Sequence, residues 1–332
     1  MKLGLMIGYW MFGPEDPAPI AIEAEKLGYD SVWTAEAYGS DCVTPLAWIA
    51  AQTSKIKLGT SIMQISARTP ACAAMTAMTL DHLSKGRVMF GFGVSGPQVV
   101  EGWYGQEFRK PLGRTREFLT LFREMMKREG PLEFQGDHYQ LPLETGSGLG
   151  KPLKLINKPL RSELPIYLGA EGPKNVAMSA ELCDGWLPLY YSPYRPEVYE
   201  ESLKNAGPDF DVACNVTVNI NDDLEAALMP VKSMLSFYIG GMGAKHKNFH
   251  ANLVRRFGFE KEVDQIQDLF AEGKREEAAH VVPDSFADEI SLCGPIDRIK
   301  DRMQAWEDSR VTTMLIGDRD PRNLRAIAEL AL

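Results

Sequence analysis

Three short segments carry side chains whose types and spacing suit chemistry. In Ala35-Glu36-Ala37-Tyr38-Gly39-Ser40-Asp41, two carboxylates and a phenol fall within six positions. Such groups in a cleft can exchange protons with a ligand, and Glu36, at a strand end, is a candidate to line a pocket. A plainer reading gives Glu36 a strand-end hydrogen bond and Asp41 a helix cap. Phe90-Gly91-Phe92-Gly93-Val94-Ser95-Gly96-Pro97 is a glycine cluster in which missing side chains would let backbone approach a flat ligand, although tight turns use glycine too. Leu168-Gly169-Ala170-Glu171-Gly172-Pro173-Lys174-Asn175 opens a helix. Free N–H groups at a helix N-terminus favour a phosphate, and Lys174 would add charge. An ordinary capping turn has the same look.

The elements that must position these segments read as alternating strand and helix. Eight apolar runs of strand length, Leu3–Gly8, Ser31–Thr34, Lys57–Ile62, Val88–Phe92, Pro165–Gly169, Gly185–Leu189, Ala213–Asn219 and Val311–Gly317, punctuate amphipathic stretches. Several lack polar alternation, as strands buried on both faces do. The pattern predicts an α/β fold, a (β/α)8 TIM barrel, and in that fold active sites lie at the C-terminal strand ends. All three segments begin at such ends. Helices are expected over Pro14–Leu27, Thr44–Thr53, Pro70–Ser84 and Gly113–Glu129, the last with Phe118, Leu121, Phe122 and Met125 on one face. Residues 130–164, with four prolines and five glycines, read as an irregular insertion opening on a hairpin through Phe134–Leu141. A second insertion, about 237–286, reads as a helical lid or substrate wall, and helices Pro295–Asp308 and Pro321–Leu330 flank the last strand. One domain is expected over residues 1–332.

Composition narrows the function. A net charge of −9, from 36 basic and 45 acidic side chains, argues against nucleic-acid and anionic-membrane partners. No apolar run reaches the roughly 18 residues that span a bilayer, so a cytoplasmic protein with a small-molecule substrate is expected. Cysteines 42, 72, 183, 214 and 293 are scattered and form no CxxC pair, which fits reduced thiols. His246 and His250 have the i,i+4 spacing of helical metal ligands, but no acidic partner motif accompanies them, and no metal is expected.

Taken in order, Leu3-Gly4-Leu5-Met6-Ile7-Gly8, Ser31-Val32-Trp33-Thr34-Ala35-Glu36, Leu58-Gly59-Thr60-Ser61-Ile62, the Gly93-Val94-Ser95-Gly96 turn, the Gly169-Ala170-Glu171-Gly172-Pro173 turn and Cys293-Gly294-Pro295 resemble the luciferase-like (bacterial luciferase superfamily) oxidoreductases, most closely their F420-dependent branch. The resemblance covers nearly the whole chain. It implies hydride transfer between coenzyme F420 and a small organic substrate; F420 carries carbon in place of the flavin N5, which favours two-electron chemistry. It also implies a bulge after the third strand, often with a non-proline cis peptide, at Ser61-Ile62. Ser61, Ile62 and Gln64 would then back the ring. Ser95, Gly96 and the turn Gly169, Ala170, Glu171, Gly172, Pro173, Lys174 and Asn175 would hold the polar tail and phosphate. Glu36 and Tyr38 would handle a proton or touch the ring, Trp10 and Asp41 would face the substrate, and the chain would form a homo-oligomer, a dimer. The F420-dependent sugar-phosphate dehydrogenases carry histidine after the strand 2 acidic residue, where this chain reads Glu36-Ala37. That departure tells against sugar-phosphate oxidation and leans toward the deazaflavin reductase-like members. The alternative is an FMN-dependent luciferase-like monooxygenase.

Overall fold

The computed structural model describes every residue except Phe12 and residues 244–247. Its strands are β1 (Lys2–Gly8), β2 (Ser31–Thr34), β3 (Lys57–Gln64), β4 (Val88–Gly93), the hairpin pair β5 (Phe134–Gln135) and β6 (Gln140–Leu141), β7 (Ile166–Gly169), β8 (Gly185–Leu187), β9 (Asp211–Ile220), β10 (Ser291–Gly294) and β11 (Thr313–Ile316). Eight parallel strands close a barrel in the order β1-β2-β3-β4-β7-β8, with β8 pairing β9 and β11 lying between β9 and β1. This is the (β/α)8 barrel expected from the alternation. Strand β10 was not expected. It extends the long β9 beyond the barrel, pairing Ser291 with Thr217 through Gly294 with Ile220, and its four residues are too few to show a period of their own.

The barrel interior explains several glycines. Trp33, Met89, Tyr167, Leu187, Ala213 and Leu315 form an inner cluster, and Trp33 meets the Tyr167 ring edge-on at 5.2 Å between centroids. A Cβ on Gly59 would sit 2.2 Å from the Trp33 ring, so the indole takes the space that a side chain would need. The polar tips in this layer are paired: Trp33 Nε1 donates to Ser31 Oγ at 2.9 Å and the Tyr167 hydroxyl donates to Asp211 Oδ2 at 2.7 Å. A filled floor of this kind leaves the strand C-termini as the open end.

Helix boundaries follow local rules. The first helix runs Ala18–Leu27 rather than from Pro14, because Asp16 precedes Pro17 and a residue before proline is pushed out of the helical region. Asp16 Oδ1 instead accepts the Ala18 N–H at 3.0 Å. Helix Pro70–Ser84 starts where Thr69 accepts from the Cys72 N–H and stops at Lys85, φ 59°. Helix Pro111–Lys127 buries Phe118, Leu119, Leu121, Phe122 and Met126. Residues 130–164 contain the β5–β6 hairpin, and Arg161 pins this stretch to the barrel by pairing with buried Asp81 and donating to the Val88 carbonyl at 2.9 Å. Between β9 and β10 lie helices Leu224–Gly240, Phe249–Arg256, Glu260–Ala271, Arg275–Val281 and Asp284–Glu289. Among the described residues, no helix is long and apolar enough to cross a membrane.

Candidate active site

The end of β2 is organised around Glu36. Its carboxylate is buried, accepting from the Gln64 N–H at 2.7 Å and the Cys42 N–H at 3.3 Å. Both guanidinium ends of Arg68 engage it, one at 3.1 Å and the other closer. Gln64 Nε2 returns a bond to the Glu36 carbonyl at 3.1 Å, and the Tyr104 hydroxyl donates to the next carbonyl, that of Ala37, at 3.0 Å. Burial alone would make Arg68 easier to deprotonate, but the Glu36 carboxylate overrides this and raises its pKa. Asp41 caps the helix Val43–Gln52: its Oδ1 accepts from the Val43 and Thr44 N–H groups, both at 2.8 Å. Partial burial would raise the Asp41 pKa, yet those bonds and the charge of Arg68 bring it below its ordinary value. Tyr38 and Trp10 are exposed beside this loop, with the Trp10 N–H donating to Ser40 Oγ at 3.3 Å.

The end of β3 supplies a wedge. The peptide bond between Ser61 and Ile62 is cis, and the β3–β4 register shifts between Thr60 and Met63. The Ile62 side chain then fills a slot between two strand-end glycines. A Cβ on Gly93 would come within 2.7 Å of Ile62 Cδ1, and one on Gly169 within 2.7 Å of Ile62 Cγ2. β3, β4 and β7 therefore meet on one apolar side chain at the mouth. Ser95 lies at φ 59° in the following turn, and Gly96 precedes the short helix Pro97–Gly102.

The end of β7 runs into the helix Pro173–Leu182, with Gly172 as its N-cap. Gly172 has φ −71°, and a Cβ there would meet no atom within 4 Å. Neither conformation nor packing demands glycine, and the space beside the helix N-terminus is open. Lys174 is exposed, and buried Asn175 Oδ1 has no hydrogen-bond partner, as is true of buried Gln64 Oε1 and Ser66 Oγ. Glu171 turns its carboxylate away from the helix to His250, whose Nδ1 lies 2.6 Å from Oε1. Arg256 donates to the Glu171 carbonyl.

A match to the luciferase-like monooxygenase family spans residues 13–313. The chain belongs to that family. As a luciferase-like enzyme it is 48% identical, over 99% of both chains, to a Mycobacterium tuberculosis protein named "putative coenzyme F420-dependent oxidoreductase". It is 28% identical to the F420-dependent glucose-6-phosphate dehydrogenase of Amycolatopsis mediterranei, over 80% of this chain and 83% of that one. In fold it is similar to the coenzyme F420-dependent tetrahydromethanopterin reductase of Methanopyrus kandleri, with a TM-score of 0.77 at 22% identity over 99% and 97% of the two chains.

Within this luciferase-like barrel the structure brings Glu36 and Gln64 into direct contact and sets Ile62 between the Gly93 and Gly169 strand ends. Sequence reasoning passed over Arg68, His250 and Arg256. The pairing of Arg68 with Glu36 spans 32 positions and that of His250 with Glu171 spans 79. The histidine spacing was the one available signal, and it reads only as a metal pair, which the missing acidic partner motif sets aside. His246 lies outside the described residues, and among those residues no cluster of three or more histidine, cysteine or acidic groups could hold a metal ion.

Proposed function

We propose that this protein is an F420-dependent oxidoreductase that moves a hydride between coenzyme F420 and a small organic substrate at the barrel mouth. One observation carries the reading: the Ile62 side chain lies between Gly93 and Gly169, an apolar seat of the sort that backs a planar ring. The full-length likeness to a relative named for F420 supports the same choice.

The residues present fit the cofactor. Ser61, Ile62 and Gln64 would back the ring, and Gln64 Oε1 is a buried acceptor without a partner among the described residues. Ser95, Gly96 and the backbone of the turn from Gly169 to Asn175 would take the polar tail. At Gly172 a helix N-terminus and open space suit a phosphate. Bound there, F420 supplies or accepts the hydride; the protein contributes position and electrostatics. Glu36 holds the Gln64 end of β3 against β2 through Arg68 and two backbone N–H groups, so its part is to fix the seat. Tyr38 and Trp10 border the substrate side, and Asp41 shapes the loop between them by capping the next helix. The chain works as one domain and as a homodimer.

Equilibrium titration following cofactor fluorescence tests this reading. F420 should bind in the low micromolar range or tighter and reduced F420 should be reoxidised by an accepted substrate. Micromolar FMN binding without F420 binding would favour a luciferase-like monooxygenase instead.

A further inference from the structure

Adding a hydride to a carbonyl carbon leaves an alkoxide that needs a proton. The strand 2 segment is poorly placed to give one. Glu36 is committed to four donors, Asp41 to a helix cap, and Ala37 has no titratable group. Another group is tied to the turn after β7. Asn248 caps the helix Phe249–Arg256, accepting from the Ala251 N–H at 2.9 Å, while its amide donates to the Tyr238 and Ile239 carbonyls at 2.9 and 2.8 Å. One buried side chain thus fastens this helix to the end of the helix before it. Phe249 then meets Phe108 from the loop after β4 at 6.4 Å, and His250 meets Glu171 from the loop after β7. The helix thus touches both the segment between β4 and the helix Pro111–Lys127 and the turn after β7.

We propose that His250, oriented by Glu171, exchanges a proton with the substrate oxygen, and that the substrate is a carbonyl compound or its alcohol bound beside the imidazole. This rests on the F420 reading above. A carboxylate 2.6 Å from Nδ1 requires a proton on that nitrogen, which leaves Nε2 as the exchanging atom. No other hydrogen bond engages the ring among the described residues. Tyr238 packs edge-on against the imidazole at 4.7 Å, and Tyr190 packs on Tyr238 at 6.1 Å. In the reducing direction the carbonyl carbon gains a hydride with its electron pair from reduced F420. The C=O π pair moves to oxygen, the oxygen takes the Nε2 proton, and imidazolium becomes neutral imidazole to be reprotonated from water. The cofactor leaves oxidised. Alcohol oxidation is the reverse, with neutral His250 as base. Glu171 is the positioning residue.

Full-length wild type, His250→Gln and Glu171→Gln are compared in three ways. F420 affinity comes first; no binding to wild type defeats the F420 reading itself, separately from this proposal. Reduced F420 is then mixed with cyclohexanone, 2-cyclohexenone, acetophenone and benzaldehyde in single turnover. We expect at least one to react, His250→Gln to slow it about 10²-fold, as loss of a general acid does, and F420 affinity and melting temperature to stay near wild type. Binding of F420 with no reaction of any carbonyl probe overturns the substrate class, and an unchanged His250→Gln rate overturns the residue. Glu171→Gln should shift the fall of the reduction rate to lower pH, because the imidazolium loses its anion. Among the described residues, the other titratable groups nearby are Tyr190, Tyr199, Tyr238 and Arg256, with Tyr9 and Tyr38 beyond Tyr238. A residue that merely docks the helix would leave that profile in place. Without cofactor, diethyl pyrocarbonate should acylate His250, which falls alone in the tryptic peptide 248–255. Resistance while exposed His280 reacts would show that Nε2 is not presented, and would also overturn the proposal.

Discussion

Glu36→Gln separates a residue that fixes the seat from one that moves a proton. The Glu36 side chain is 4% exposed and that of Arg68 16%, so both charges are largely out of water. Glutamine keeps one acceptor oxygen, which can retain two of the four bonds. Its NH2 group must then face donors from Arg68 or the Cys42 N–H, and the Arg68 charge is left without an anion. Removing one partner of a buried pair costs about 3–5 kcal/mol, and with half of the hydrogen bonds kept we expect a loss of about 3 kcal/mol. For a chain of 332 residues the unfolding entropy is about 0.7 kcal/mol per kelvin, so the melting temperature should fall by about 4 °C. Arg68→Met should cost a similar amount by stranding the carboxylate. The double variant should lose less than the two together by about 1–2 kcal/mol, the signature of a coupled pair. Thermal and urea unfolding measure the stabilities, and turnover per folded molecule is taken on the same preparations. If Glu36→Gln unfolds within about 0.5 kcal/mol of wild type while turnover drops by about 10²-fold, Glu36 is a proton-handling group and the assignment made here is wrong.

Other perturbations probe separate parts of the account. Gly172→Asp meets no protein atom and adopts an allowed φ, so the fold should hold while F420 affinity falls at least 10-fold through steric and charge conflict with a phosphate; unchanged affinity would move the phosphate elsewhere. Gly93→Ala places a methyl 2.7 Å from Ile62 Cδ1; it should destabilise by about 1–3 kcal/mol, the usual cost of overpacking, and weaken cofactor binding with it. Glu25, despite the upward push of burial, is held below its ordinary value of 4.5 by the backbone N–H groups of Ile56, Lys55 and Ser54. A depressed carboxylate stabilises the fold above its unfolded pKa and loses that contribution as pH falls through its folded value. The stability gap between wild type and Glu25→Gln should therefore be open at pH 7 and shrink below pH 4.5, which urea midpoints at the two pH values would show.

Much of the barrel was legible because its strands are local patterns. Ser31–Thr34 reads as a strand without polar alternation since all four residues are buried, and Thr69-Pro70 marks a helix start by capping chemistry alone. The Ser61–Ile62 position was legible from family likeness, as no propensity rule marks a cis bond there. What stayed hidden depends on contacts across the fold. Nothing near Glu36 indicates that Arg68 will neutralise it, so a carboxylate at a strand end looked available when it was already spent on structure. His250 lies in a helix whose place is set by Asn248 reaching back to the carbonyls of Tyr238 and Ile239, a tertiary bond that the run Asn248-Phe249-His250 does not announce. Glu171 looked like part of a phosphate turn because it sits among Gly169, Ala170 and Gly172. Only the direction of its side chain, toward His250, separates it from them. Strand β10 escaped because pairing with the outer half of β9, and no periodicity of its own, makes it a strand.

The central claim is that the mouth built on Ile62, Gln64 and the Gly172 turn receives F420. Parallel equilibrium titrations of the purified protein with F420 and with FMN test it most directly. F420 should bind at least 10-fold more tightly than FMN, with Gly172→Asp reducing the F420 affinity while leaving the melting temperature near wild type. Micromolar FMN binding with no detectable F420 binding would contradict it.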